Sequence, residues 1–252
     1  MPTIDLATGG VFVRDLNPSG ARPVVMIHGL LTNQTVFYGC GAFELAKHRR
    51  VVLYDLRGHG LTSLDPCDFR LETLSGDLFA LVDALSIEHA DLVGYSFGAA
   101  VAINAVLTHP GRVGRLALIE PFGLDHDQLP GPDPDVEAGI LDYSRSTSVF
   151  VSQRRVNQLE EQVRLLFTDH HLYQSLAADA DFFAVAPVDQ ISDPVWILGG
   201  RSSVYAPDAR LLAQRIPNSV LRLTRGDHNL PVTRPRWVRR HLIAWDKRGA
   251  DA

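Results

Sequence analysis

Cysteine is nearly missing from this chain: Cys40 and Cys67 are the only two among 252 residues. Two isolated thiols build neither a disulfide framework nor a cysteine metal cage. The ten histidines are too scattered to replace one, and the adjacent pair His170-His171 would point to different sides of a helix. No metal and no cofactor is therefore expected. Long apolar runs are lacking as well, since no stretch approaches the roughly 18 residues of a membrane-spanning helix. The opening Met1-Pro2-Thr3-Ile4-Asp5 has neither the basic nor the apolar region of a secretion signal, so a cytoplasmic protein without a membrane span is expected. Positive charge is not in excess either. A net charge of -5 gives no reason to expect nucleic acid as a partner.

What is present, 46% hydrophobic and 21% charged residues, suits one globular α/β domain with room for an insertion. The stretch that organises it is Leu92-Val93-Gly94-Tyr95-Ser96-Phe97-Gly98-Ala99-Ala100, where an apolar run meets a Gly-x-Ser-x-Gly turn and passes into an alanine-rich segment. It reads as strand, sharp turn, helix. Glycines two before and two after the serine let strand and helix approach closely. The helix beginning at Phe97 aims its unpaired N–H groups and positive dipole end at the turn, where an oxyanion develops in acyl transfer. Ser96 is the candidate nucleophile.

Before the elbow, residues 1–22 read as a short hairpin, with Val11-Phe12-Val13 as strand and Asn17-Pro18-Ser19-Gly20 as turn. Pro23-Val24-Val25-Met26-Ile27 is a continuous apolar run of the kind a parallel strand buried on both faces requires, and it ends in His28-Gly29-Leu30-Leu31. The N–H of Leu30 is the expected second oxyanion donor beside that of Phe97, with the His28 imidazole bracing the loop. Arg50-Val51-Val52-Leu53-Tyr54 is the next strand, and Asp55-Leu56-Arg57-Gly58-His59-Gly60 after it reads as a tight surface turn rather than a site. Leu71, Leu74, Leu78, Leu81, Val82 and Leu85 recur at helical spacing.

The order of His28-Gly29, Asp55-Leu56-Arg57-Gly58-His59-Gly60, Gly94-Tyr95-Ser96-Phe97-Gly98 and a late Gly226-Asp227-His228 resembles the α/β-hydrolase superfamily over nearly the whole chain. The resemblance implies a mostly parallel central sheet flanked by helices, a lid after the sixth strand, and a serine–acid–histidine triad in that chain order. His228 is then the general base. It follows the apolar run Val220-Leu221-Arg222-Leu223 and precedes the amphipathic last helix near Trp237, Val238, Leu242 and Trp245. Imidazole, with an unperturbed pKa near neutrality, can take the serine proton and return it to the leaving group.

The acid departs from the family's pattern. After Val195-Trp196-Ile197-Leu198 the sequence runs Gly200-Arg201-Ser202-Ser203-Val204-Tyr205-Ala206-Pro207, which puts Ser203 where the resemblance implies an aspartate. A hydroxyl can orient an imidazole but supplies no negative charge. Leu116-Ala117-Leu118-Ile119, the sixth strand, ends in Glu120-Pro121, and proline biases Glu120 toward an extended conformation at the strand's carboxyl tip. Some family members, haloalkane dehalogenases among them, take the triad acid from this place. Glu120 is the preferred acid, with Asp227, Asp125, Asp193 and Asp208 as the other carboxylates in play.

The expected domains are a core at 1–123 and 193–252 and a helical lid at 124–192. The lid opens on the proline-rich Leu129-Pro130-Gly131-Pro132-Asp133-Pro134 and contains Val156, Leu159, Val163, Leu166 and Phe167 at helical spacing. Tyr143, Phe150, Phe182 and Phe183 are candidate pocket residues, and Arg154-Arg155 are more easily read as a solvated face than as an anion site. The resulting expectation is a cofactor-independent serine hydrolase acting on a small-molecule carboxylic ester or thioester. The alternatives are a carbon–carbon bond hydrolase or lyase on the same three residues, or a small-molecule receptor with a vestigial triad.

Overall fold

A computed structural model describes residues 3–64, 68–121, 157, 160–161, 163–166, 172–179 and 186–248. Eight strands form one sheet in the order β1-β2-β4-β3-β5-β6-β7-β8. They are β1 (Thr3–Leu6), β2 (Gly9–Leu16), β3 (Ala21–Ile27), β4 (Arg49–Tyr54), β5 (Ala90–Tyr95), β6 (Val113–Ile119), β7 (Val195–Gly200) and β8 (Ser219–Thr224). Only β1 and β2 run antiparallel to their neighbours, and β4 through β8 pair in parallel. The hairpin of the first 22 residues is β1 with β2. The turn at Asn17–Gly20 instead releases the chain from β2 so that β3 can enter the sheet beyond β4, with Gly20 N–H donating to Asn17 O at 2.8 Å.

The continuous apolar runs of the parallel strands are needed because each strand feeds two cores. Val25, Ile27, Val52, Leu92, Leu116, Leu118, Val195 and Ile197 face one side. There they meet α2 (Leu71–Ala84), α3 (Phe97–Thr108) and α5 (Ala206–Arg215). The alternate residues Val24, Met26, Val51, Leu53, Val93, Ala117, Ile119 and Leu198 face the other. They pack on α1 (Ala42–Leu45), the short α6 (Leu230–Thr233) and the last helix, α7 (Pro235–Arg248). The period of two along a strand separates the two sets. Helix α3 is buried on all sides, ten of its twelve residues from Phe97 to Val106, and so it carries no polar face.

Between β6 and β7, α4 (Leu172–Ala178) is tied to the start of α2. Ser175 Oγ accepts the Phe69 N–H at 3.1 Å, and Asp179 Oδ2 accepts the N–H of Leu71, the first residue of α2, at 2.6 Å. Val163 and Leu166 are fully buried, and Leu166 packs with Phe69 and Leu172. The proline-rich stretch, Tyr143, Phe150, Arg154-Arg155, Val156, Leu159, Phe167, Phe182, Phe183, His170-His171, Asp125 and Cys67 lie outside the described residues.

Candidate active site

The parallel strands β3, β5, β6, β7 and β8 end on the same edge of the sheet, and each delivers one piece of a site there. Ser96 stands between β5 and α3 with φ 52° and ψ -118°, a strained conformation for a residue with a side chain. Its N–H donates to Ile119 O at 2.9 Å and its carbonyl accepts from Ala99 at 2.8 Å, which holds the strain in place. A Cβ on Gly98 would lie 2.1 Å from Ile27 O, and one on Gly94 would lie 2.4 Å from Gly98 O. The two motif glycines therefore serve the expected close approach of strand and helix.

His228, on the loop after β8, brings Nε2 to 2.8 Å from Ser96 Oγ. Its other nitrogen, Nδ1, lies 3.6 Å from Glu120 Oε2 and makes no hydrogen bond among the described residues. Among the described residues no other carboxylate is within ion-pair distance of His228. Glu120 is 1% exposed, and its Oε1 accepts the N–H of Gly200. Its own N–H donates to Leu198 O at 2.7 Å. One carboxylate oxygen is thus held by β7 while the other faces the imidazole. The extended backbone expected for Glu120 is not found: its φ is 51°, in the left-handed region. The bonds to Leu198 and Gly200 hold the residue against β7, which outweighs the bias that Pro121 imposes.

Of the other candidate carboxylates, those among the described residues make no ion pair with the imidazole. Asp227 Oδ1 accepts the Asn229 N–H at 3.0 Å within its own loop. Asp208 is buried in the first turn of α5, and Asp193 lies before β7, at the opposite end of the strand from the site. Ser203 is buried at 7% exposure, but its hydroxyl accepts the Tyr205 N–H at 3.2 Å and so closes the turn into α5.

The loop after β3 is built from inside. His28 is fully buried and spans two backbones, Nδ1–H donating to Gly29 O at 2.8 Å and Nε2 accepting from Leu56 N–H at 2.9 Å. His59 repeats the device, with Nδ1–H to Arg57 O at 2.8 Å and Nε2 accepting from Leu31 N–H at 3.1 Å. Fixed backbone partners define both tautomers. Burial lowers the pKa of His28 to about 4. Burial, and then the neighbouring His28, lower that of His59 to about 3, so both imidazoles are neutral. The turn at Asp55–Gly60 is tight but does not lie on the surface: Asp55, Arg57 and His59 are all buried. Asp55 accepts from the N–H groups of Gln34 and Leu61, and Arg57 is paired with Asp77. The segment packs under the loop after β3 because two N–H groups, of Leu56 and Leu31, require imidazole acceptors there.

Gly29 is pressed on the elbow, since a Cβ there would lie 2.9 Å from Ser96 Cβ. Leu30 follows directly, and no described hydrogen bond uses its N–H. Phe97 is the first residue of α3, and an N–H there has no partner within the helix.

Two tyrosines that the sequence did not single out flank the histidine. Tyr95 Oη donates to His228 O at 3.1 Å, and the Tyr205 ring meets the imidazole edge-on with centroids 4.7 Å apart. The position of Tyr95 inside the Gly-x-Ser-x-Gly motif was the one available signal.

A family profile described as alpha/beta hydrolase fold matches residues 22–248. A 2-hydroxymuconate semialdehyde hydrolase of Pseudomonas sp. is 37% identical over 124 residues, 47% of this chain and 44% of that protein. A 2-hydroxy-6-oxo-2,4-heptadienoate hydrolase of Pseudomonas putida is 31% identical over 128 residues, 50% of this chain and 46% of the relative. The chain spans about half the length of the curated relatives it matches. The solved meta-cleavage product hydrolase CumD from Pseudomonas fluorescens IP01 superposes with a TM-score of 0.77 at 20% identity, over 99% of this chain and 98% of that one, which is a likeness of fold. With the profile covering all but the two ends of the chain, and with the sheet order and elbow described above, this chain belongs to the α/β hydrolase fold family.

Proposed function

We propose that the chain is a serine hydrolase that cleaves a small-molecule carboxylic ester or thioester through an acyl-enzyme. The observation that carries this is the 2.8 Å contact between Ser96 Oγ, held on a strained elbow, and His228 Nε2. Ser96 Oγ attacks the carbonyl carbon as His228 takes its proton, and the oxyanion is held by the N–H groups of Leu30 and Phe97. The bond to the leaving oxygen or sulfur then breaks, and His228 returns the proton to that atom. Water, deprotonated by the same imidazole, attacks the acyl-serine and releases the acid and Ser96. Glu120 stabilises the imidazolium, closing the 3.6 Å gap to Nδ1 by a small side-chain rotation as charge develops.

Carbon–carbon bond hydrolysis is the second reading, and the activities named for the two Pseudomonas relatives favour it. Against it, His28-Gly29-Leu30-Leu31-Thr32-Asn33 is not the glycine-rich loop expected of ring-fission hydrolases. A fluorophosphonate probe followed by a substrate panel separates the readings. Expected is one adduct, absent in Ser96→Ala, with turnover of simple esters or thioesters. An adduct with turnover of a vinylogous 1,5-diketone alone establishes the second reading. No adduct and no turnover leaves a receptor with a vestigial triad.

A further inference from the structure

We infer that the half of the substrate that leaves carries phosphate: the ester or thioester is one of a phosphorylated small-molecule thiol or alcohol, held by Arg201, Arg225 and Arg234. This rests on the acyl-transfer reading above.

The chain is negative overall, yet between Arg201 and Arg248 it holds eleven Lys and Arg against three Asp and no Glu. Two of those aspartates, Asp208 and Asp246, are buried, and the third, Asp227, is engaged with the Asn229 N–H. Arg215 and Arg239 pair with Asp189 and Glu44, whereas three others stand at the edge of the sheet that carries the site. Gly200 of β7 stands opposite Thr224 of β8, so Arg201 and Arg225 leave the two strands side by side at the edge where Ser96 lies. The Arg201 N–H donates to Thr224 O at 2.8 Å, and the Ser202 N–H to Gly226 O at 3.0 Å, which locks the two loops together. Arg234 joins them from the end of α6: its Cγ lies 3.8 Å from where a Cβ on Gly226 would stand. All three arginines are exposed, and none has an ion-pair partner among the described residues.

Along the chain His228 lies between Arg225, at the end of β8, and α6, which Arg234 closes. That position decides which half of the substrate the arginines meet. The imidazole must hand its proton to the departing atom, so the departing half lies on the side of the loop that carries His228. Oxyanion donors and acyl carbon lie across Ser96, toward Leu30 and Phe97. When the C–S or C–O bond breaks, the thiol or alcohol leaves protonated at that atom, with its phosphate still among the guanidinium groups. Guanidinium matches phosphate oxygens in a two-pronged fashion, and a local excess of one sign raises the encounter rate with an anion.

The test compares thioesters of one short acyl group with three thiols: N-acetylcysteamine, which is neutral, phosphopantetheine, with one phosphate, and coenzyme A, with three. Expected is a kcat/KM about tenfold or more higher for the phosphorylated pair than for the neutral one, falling as ionic strength rises. The difference between the phosphorylated two reports how many phosphates the site engages. In Arg201→Gln/Arg225→Gln/Arg234→Gln the ratio falls toward one, while phosphonate labelling of Ser96 verifies that the variant is folded. Equal kcat/KM for neutral and phosphorylated thioesters at low salt, or a preference that survives both salt and the triple substitution, overturns the inference and leaves the serine hydrolase standing. Failure of every thioester together with no phosphonate adduct overturns the acyl-transfer reading itself, and this inference with it.

Discussion

Glu120 concentrates the chemistry that is least common in this chain. It is a fully buried carboxylate in a left-handed backbone, one oxygen bonded to Gly200 and the other 3.6 Å from an imidazole nitrogen that has no other partner among the described residues. A buried charge so placed is costly unless it is used by both neighbours. Glu120→Gln is expected to lower kcat on the order of a hundredfold or more, because the imidazolium then forms without a counter-charge. Ser203→Ala is expected to change kcat by no more than about threefold, since that hydroxyl serves the turn into α5 and not the histidine. Steady-state kinetics of the two variants, with thermal melts to verify folding, check both statements; a silent Glu120→Gln beside a crippled Ser203→Ala reverses the assignment. The sequence pointed to Glu120 by its strand-end placement and by Ser203 standing where the family resemblance implies an aspartate. It did not reach the left-handed backbone, because proline's local preference was outweighed by bonds to a strand some 80 positions away.

At the scale of elements, the junction of β5 and α3 tolerates no added atom. Gly98→Ala places a methyl group 2.1 Å from Ile27 O, with both backbones fixed in the sheet and the central helix. Loss of several kcal/mol is expected, seen as a lowered denaturation midpoint or failure to accumulate folded protein; unchanged stability would mean that helix and strand are not packed as described. The clasp between α4 and α2 is weaker. Asp179→Ala removes the carboxylate that caps Leu71 and is expected to cost about 1 kcal/mol and to speed amide exchange at Leu71, read by hydrogen exchange. The strands and the elbow were legible because their patterns are local: apolar runs bounded by glycine and polar residues, and helical spacing in α2. The inward-facing turn at Asp55–Gly60 was not. Two glycines signal a tight turn equally well on a surface or beneath a loop, and only the fold brings Leu31 to His59.

For the whole molecule, the two buried histidines set an acid limit. In the unfolded chain each takes up a proton near 6.5, whereas burial holds the folded pKa of His28 at about 4 and that of His59 at about 3. The unfolded state therefore binds more protons below 6.5, so stability is greatest above that pH and declines as the pH falls toward 4. The slope is up to about 1.4 kcal/mol per pH unit for each histidine. Denaturant midpoints at pH 7.5 and 5 measure the decline, and His59→Gln is expected to make it shallower; a profile flat across this range contradicts the buried, neutral pair. The same loop that these imidazoles brace bears Leu30, so acid that protonates them also removes one wall of the proposed oxyanion site. Most direct of all is the rate at which a fluorophosphonate reacts with Ser96 in the unmodified protein and in Glu120→Gln. A single adduct that forms at least about a hundredfold more slowly in the variant is expected, and identical rates would contradict a triad that runs from Ser96 through His228 to Glu120.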